Sequence, residues 1–347
     1  MAELFVDYLR RRLPLVEAAL ADAAARPLTQ GAPADDLTSY LYAPVARFTA
    51  SGGKRVRPVL ALLGSEAVGG RAEDALSCAV AVELFQSAAL IHDDIADEGE
   101  LRRGEPCLHR VEGTGLAINA GDLALAQVFE VVLADEGLSP ERKVRALSEI
   151  VAMERHTLEG QALDLGWVRD RRWDLSTEDY LYMVRSKTAW YSAAVPLYVG
   201  ALVGGGSERA ARGLLELGLT AGVAFQLQDD LLNLVGDAAA QGKDFRSDVT
   251  EGKRTLAVVW ALEHLGDDGR AELIALLDAG VSDAPRLERA VELIELGGGI
   301  DRCRALAREL ADDARERADA LLEAGLVSAE ARDLLASMAD FFVERAG

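Results

Sequence analysis

Residues 84–97, LFQSAALIHDDIAD, decide the fold: an apolar run that closes on three aspartates. On a helix of 3.6 residues per turn, Asp93 and Asp97 lie about 40° apart and share a face. Carboxylates at that spacing repel each other, so on an inward face they need cations between their oxygens, and magnesium suits such hard ligands. A solvated acidic helix end is the plainer reading, but acids favour helix N-termini and these follow a long apolar run. The pattern recurs at residues 221–233, AGVAFQLQDDLLN, where Asp229 and Asn233 are again four apart at the end of an apolar stretch. Two such sites on inner helices would hold metals that bridge the oxygens of one diphosphate.

Working outward, apolar residues recur at three-and-four spacing, Ala and Leu dominate, and no β-branched alternation is sustained. The reading is all-α, with about ten helices and no strand. Breaks fall at 27–35, 99–106, 135–140, 169–177, 204–207, 236–252, 266–269 and 280–284. None has the length or composition of an interdomain linker, so residues 1–347 are expected to form a single domain. Residues 75–91 and 214–227 are apolar on more than one face, which suits inner helices in a bundle of mostly antiparallel helices around a central cavity.

The 347 residues carry 37 Lys and Arg against 58 Asp and Glu, a net charge of −21. That balance argues against a nucleic-acid partner, and an anionic substrate must be held by local basic clusters or by metals on carboxylates. Cys78, Cys107 and Cys303 are too few and scattered for a disulfide framework or a thiolate zinc site. With an N-terminus that lacks a signal-peptide layout, they point to the cytoplasm. Residues 188–207 lack charge over about the length of a membrane span, but Thr188, Ser192, Pro196 and three closing glycines favour a buried bundle helix over a transmembrane segment.

Basic residues gather where a second anion could dock. GGKRVRP, residues 52–58, sets Lys54 and Arg57 one turn apart behind two glycines that permit close backbone approach. Arg102, Arg103, Lys187, Lys243 and Lys253 flank other helix ends, while Arg55 and Arg103 read more simply as surface charges.

Those segments occur in a telling order: GGKRVRP, HDDIADEGELRRGEP (92–106), EGQALDL (159–165), RSKTAWYSAAVP (185–196), FQLQDDLLN (225–233) and GKDFRSDVTEGKRT (242–255). Over about residues 48–257 the chain resembles the trans-isoprenyl diphosphate synthase family, of geranylgeranyl diphosphate synthase type, and MADFFVERAG (338–347) resembles that family's ending. The resemblance implies the isoprenoid synthase type I fold and several Mg2+ ions, for which Mn2+ can substitute. It implies 1′-4 condensation of isopentenyl diphosphate with an allylic diphosphate of C5, C10 or C15. It marks Asp93, Asp97 and Asp229 as direct metal ligands, with Asp230 and Asn233 beside Asp229 at the second metal site, Asp230 and Asp248 in support of Asp229, and Asp94 as a supporting carboxylate of the first. Lys54, Arg57, Gln86 and Arg103 match positions that hold isopentenyl diphosphate; Arg102, Lys187 and Lys253 match positions that hold the allylic diphosphate. Thr188, Gln226 and Lys243 match its remaining wall, with Lys187, Thr188 and Gln226 also steadying developing positive charge, and Gln161 and Asp164 match a polar pair near the metals.

Two positions depart from the pattern. Asn233 replaces a third aspartate, keeping an oxygen while removing a charge, so weaker metal binding is expected. Arg246 replaces a glycine, so the loop before Asp248 is expected to take another path. His92 reads as a structural histidine beside the motif. One turn before Asp93, Ala88 and Ala89 are expected to face the growing tail, where aromatic residues in the family form a floor that stops the product at C15. Without that floor the expected product is C20 or longer, geranylgeranyl diphosphate first, with Phe85 and Phe129 as lower plugs. The rivals are a farnesyl or longer-chain synthase, a class I terpene cyclase, against which Lys54, Arg57 and Gln86 speak, and a noncatalytic partner subunit, against which Asp93, Asp97 and Asp229 speak. The resemblance and the apolar stretch 115–134 imply a homodimer.

Overall fold

Polar caps mark several of the helix starts. Ser139, Ser176, Ser207, Thr255 and Asp283 each accept a hydrogen bond from a backbone N–H in the first turn that follows, and Asp179 reciprocates to the Ser176 N–H. The computed structural model describes residues 2–24, 30–236 and 246–344. Among these, the longer helices are α1 Glu3–Ala24, α2 Ala43–Ala50, α3 Val56–Ala67, α4 Leu76–Ala96, α5 Thr114–Leu133, α6 Pro140–Arg169 and α7 Thr177–Val184. They continue as α8 Val195–Val203, α9 Glu208–Val235, α10 Leu256–His264, α11 Asp267–Asp278, α12 Ala284–Leu296, α13 Gly299–Glu323 and α14 Ala329–Glu344. A π-helical segment, Arg185–Ala194, joins α7 to α8.

The all-α expectation holds, with more helices than the spacing suggested. Helices α3, α13 and α14 are set off by turns at Gly69, Gly298 and Gly325, each at positive φ, where no proline or polar cluster announces a stop. Gly269, by contrast, lies inside α11. A short pairing of Leu101–Arg102 with Glu105–Pro106 corrects the expectation of no strand; it is too brief for alternation to show, and Arg103 and Gly104 both take the positive φ that such a turn requires.

The core runs between α3, α4, α8 and α9. Every residue of α8 is buried. A Cβ on Gly200 would stand 1.9 Å from the Ala61 carbonyl oxygen, so α3 and α8 pack backbone against backbone. Residues 188–203 therefore lie inside the bundle. Two other stretches, Ala72–Ala96 and Thr114–Leu133, are long and apolar enough to cross a membrane; the first spends that character on the core, its apolar window 67% buried, while the second is 44% buried. Helix α5 packs on α4 through small residues: Ala117, Ala120 and Ala124 meet Ala88 and Ile91. His92 lies against Gly121 with Nε2 3.3 Å from the Ile118 carbonyl oxygen, the structural role read from the sequence.

Candidate active site

The acidic wall is one stripe of α4. Glu83, Gln86, Leu90, Asp93, Asp94 and Asp97, three or four residues apart for the most part, line a cavity of about 490 Å3. Asp93 Oδ1 accepts from Gln161 Nε2 of α6 at 2.6 Å. Asp97 Oδ1 accepts from Lys253 Nζ at 3.0 Å, and the same ammonium stands 3.5 Å from Asp164 Oδ2. Lys187 Nζ donates to that Asp164 oxygen at 2.5 Å. The result is an alternating chain, Asp97–Lys253–Asp164–Lys187. Burial, then the charge of Asp93, raises the Asp97 carboxyl above its ordinary range. Burial opposes the charge on both lysines, but Asp164 and its acidic neighbours outweigh it and hold them above the usual ammonium value. Burial likewise opposes the charge on Asp164, and the two lysines pull it below the usual carboxylate range. Asp94 is bound by Arg102, whose Nε lies 2.8 Å from its Oδ1 and whose Nη2 donates to the same oxygen.

In the second motif only Asn233 departs from the sequence expectation. Asp229 lines the cavity. Asp230 also lines it, but Oδ2 accepts from Tyr180 Oη at 2.6 Å and Oδ1 from Gln226 Nε2 at 2.7 Å, which makes it a support for its neighbours. Burial, then the charge of Asp248, holds the Asp230 carboxyl well above its ordinary value. Gln226 Oε1 accepts in turn from Thr188 Oγ1 at 3.0 Å. Asn233, expected as a metal ligand, is 1% exposed and absent from the cavity wall. Its Nδ2 donates to Ser247 Oγ and its Oδ1 accepts the Asp248 N–H, each at 3.2 Å, because the returning loop reaches this amide one turn below Asp229. Arg246, at φ +60° and ψ 25°, takes the left-handed conformation that glycine favours, with its N–H donating to the Asn233 carbonyl at 3.2 Å. Asp248 lines the cavity, and Lys243 lies outside the described residues.

The basic wall starts at the Gly52-Gly53 turn, where both φ angles are positive. Lys54, Arg57 and Arg103 line the cavity. Arg57 Nη2 donates to Ser192 Oγ at 2.9 Å and Tyr191 Oη at 3.2 Å, and its guanidinium carbon lies 4.6 Å from the Tyr191 ring centre. Gln86, with its amide oriented to satisfy both ends, accepts from Arg57 Nη1 at 2.9 Å and donates to Glu83 Oε2 at 3.1 Å. Arg103 donates to Ser51 Oγ at 3.1 Å. Arg55, read as a surface charge, is 3% exposed. Its left-handed backbone, φ +48°, accompanies a side chain turned inward to Glu83 at 2.5 Å, Glu17 at 2.8 Å and the Thr49 carbonyl at 2.5 Å.

The tail-facing assignments change too. Neither alanine lines the cavity: Ala88 is fully buried against α5, because the helix turns it away from the stripe that carries Asp93, and Ala89 is half-buried next to that stripe. Phe85 packs edge-on to Tyr191, ring centres 5.7 Å apart, and Phe129 packs on the core from α5; neither lines the cavity. Cavity-wall residues that sequence reading missed include Glu83, Tyr180, Tyr191, Ser192, Phe225, Glu251 and Arg254. Glu83 could have been found, three residues before Gln86 on the same stripe. Glu251, 3.4 Å from Lys253 Nζ and pushed up to about 7 by burial and then by Asp97, stands two residues before a basic residue already singled out. Tyr180 carries no local signal.

Among the described residues no three His, Cys, Asp or Glu side chains converge into a metal cage. Asp93, Asp97 and Asp229 share one cavity, and magnesium usually takes one or two carboxylates and completes its shell with water and substrate phosphates. The donor set therefore fits ions shared with a diphosphate.

A helical bundle whose cavity sets paired acidic helix ends against a basic rim defines an isoprenoid synthase. The polyprenyl synthetase family model matches residues 38–294, and the chain belongs to that family of prenyltransferases. The short chain isoprenyl diphosphate synthase of Methanothermobacter thermautotrophicus is 41% identical over 295 residues, covering 85% of this chain and 87% of that protein. The geranylfarnesyl diphosphate synthase of Natronomonas pharaonis is 39% identical over 322 residues, covering 88% and 90%. Among solved structures, the geranylgeranyl pyrophosphate synthase of Corynebacterium glutamicum, complexed with isoprenyl diphosphate and magnesium, aligns with a TM-score of 0.81 at 31% identity over 99% of this chain and 98% of that one.

Proposed function

We propose that this prenyltransferase, acting as a single domain, condenses isopentenyl diphosphate 1′-4 with an allylic diphosphate of C5, C10 or C15 to give a trans-polyprenyl diphosphate of C20 or longer, geranylgeranyl diphosphate foremost. One observation carries the reading: a single cavity holds two separate cationic sets, Lys187 and Lys253 among the aspartates, and Lys54, Arg57 and Arg103 at the glycine turn. A cyclase that ionises one diphosphate has no use for the second set.

In this reading Arg102, Lys187 and Lys253 hold the allylic diphosphate, and Lys54, Arg57, Gln86 and Arg103 hold isopentenyl diphosphate. Asp93, Asp97 and Asp229 would hold magnesium, or manganese in its place, which would supply Lewis-acid neutralisation of the leaving group. Lys187 and Lys253 add fixed positive charge, so the allylic C–O bond breaks with its electron pair on the diphosphate. Thr188 and Gln226, already oriented by their bond to each other and to Asp230, turn fixed dipoles toward the allylic cation. The isopentenyl double bond then supplies the electrons of the new C–C bond, and the departing diphosphate accepts the proton that leaves C2. Product length beyond C15 is supported by relatives named for geranylgeranyl and geranylfarnesyl diphosphate.

We propose further that the working form is a homodimer. Val144, Val151, Leu158 and Leu165 of α6 recur every seven residues and are exposed, as are Leu116, Ile118 and Leu133 of α5.

The test is incubation of pure protein with magnesium, isopentenyl diphosphate and, in turn, C5, C10 and C15 primers, with products resolved by chain length. Products of C20 or longer are expected, and Asp93→Ala should lower kcat by at least about 100-fold. Release of a hydrocarbon without isopentenyl diphosphate, or full activity in Asp93→Ala, would overturn the reading.

A further inference from the structure

Next to Lys253, on the wall of the same cavity, is a buried arginine that the reaction as drawn leaves unused. Arg254 is 2% exposed and its guanidinium carbon lies 3.7 Å from the centre of the Trp173 ring. Nε donates to the Arg172 carbonyl at 3.1 Å and Nη1 donates to the Gly252 carbonyl, while Nη2 is buried without a partner. Trp173 is itself fixed: Nε1 donates to Asp278 Oδ1 at 3.1 Å, and its carbonyl accepts from Arg270 at 3.1 Å. It belongs to the loop between α6, which carries Asp164, and α7, which carries Tyr180.

Arg254 therefore binds backbone of two loops at the wall of the diphosphate cavity. Gly252, whose carbonyl it holds, directly precedes Lys253 and sits at φ +64° with its Cα side 3.0 Å from the Leu277 carbonyl for any added Cβ. The Lys253 N–H donates to the Asp248 carbonyl at 2.8 Å, and Thr255 caps α10. Burial lowers the Arg254 pKa to about 10, against the more distant charges of Asp278 and Asp164, so it stays charged at neutral pH although among the described residues no carboxylate forms an ion pair with it. A leucine would fill such a site without burying a charge; only a planar fork can lie on the ring and reach carbonyls on both sides.

We infer that Arg254, stacked on Trp173, is a positioning residue that fixes the reach of Lys253 toward the diphosphate bound at the aspartates. The inference rests on the reading above that Lys253 holds the allylic diphosphate. Arg254→Lys keeps the charge and loses the fork, Trp173→Leu removes the ring, and Trp173→Phe keeps a π face. Measured on the full chain with magnesium, Arg254→Lys and Trp173→Leu should each raise the allylic KM by about 10-fold and leave the isopentenyl KM within about twofold. Trp173→Phe should stay near the parent, and the double variant should be no worse than either single one, since both remove one contact. Equal rises in the two KM values, or no change in either, would overturn the inference. The two variants act from opposite ends of the contact, so if melting curves show one misfolded, the other decides. Lys253→Ala serves as the separate check: an unchanged allylic KM there would sink the role given to Lys253 itself, independent of what Arg254 does.

Discussion

An aspartate in place of Asn233 would restore the carboxylate that the family motif leads one to expect, yet it would lose the Nδ2 donor to Ser247 and bury a further carboxylate beside Asp248. Asn233→Asp should lower stability by about 1–3 kcal/mol, read as a drop in the urea midpoint. A gain in stability or in metal affinity would show that the side chain leaves the loop for the cavity. Spacing had located Asn233 on the right helix and in the right register; what it could not show was a loop returning from 14 residues away to claim the amide. Arg55 was misread for the same reason, since its carboxylate partners lie 28 and 38 residues distant. Glu154 offers a different test at this scale. Its Oε1 is buried without a partner, and burial pushes the carboxyl up to about 7. A raised carboxyl contributes stability that is fully present below the unfolded value of about 4.5 and is lost as pH rises through about 7. Because the residue is only half-buried, the loss should be about 1–2 kcal/mol between pH 5 and 8 in urea titrations, and Glu154→Gln should abolish it. Identical pH profiles for the two proteins would exclude Glu154 as the source.

The π-helical segment Arg185–Ala194 carries Lys187, Thr188, Tyr191 and Ser192, so its position sets much of the site. Glycines of the flanking helices fix that position. A Cβ on Gly160 of α6 would lie 2.3 Å from the Lys187 backbone nitrogen, and Cβ atoms on Gly222 and Gly218 of α9 would lie 2.7 and 2.5 Å from the Cα atoms of Ala189 and Ala194. Backbone cannot yield as a flexible side chain can. Gly160→Ala should therefore cost about 1–3 kcal/mol of stability through overpacking, and displacement of Lys187 should reduce kcat by about 10- to 100-fold. Loss of stability with full kcat would mean that the segment shifts as a rigid unit without disturbing Lys187. Helices bounded by Ser, Thr, Asp and Pro were legible in the sequence because those residues cap or start a helix chemically. The π geometry was not, since the same apolar pattern satisfies an ordinary helix, and the glycines reveal their purpose only when the opposing backbone is in place.

At the scale of the whole molecule, the all-α bundle and both motif helices could be read from periodicity alone, because burial in a bundle imposes the same spacing at every level. The surface posed a harder problem, since an apolar stretch such as 115–134 looks alike whether it meets the chain's own core or another chain. The structure shows which side faces inward: α5 directs its alanines to α4 and leaves Leu116, Ile118 and Leu133 exposed. The seven-residue stripe on α6 adds Val151 and Leu158, 50% and 66% exposed, in a chain whose net charge of −21 otherwise keeps copies apart. If this face joins two copies, replacing Val151 and Leu158 together with glutamate should yield a monomer by light scattering while helical content is kept, because both residues are already solvent-facing within one chain. Repulsion between two acidic copies should also make the parent dimer tighten as salt rises from about 0.05 to 0.5 M, where the screening length falls below about 5 Å. A Val151→Glu, Leu158→Glu variant that remains dimeric would move the interface elsewhere, and a dimer that loosens with salt would show that charge pairs hold it together and that the apolar stripe does not.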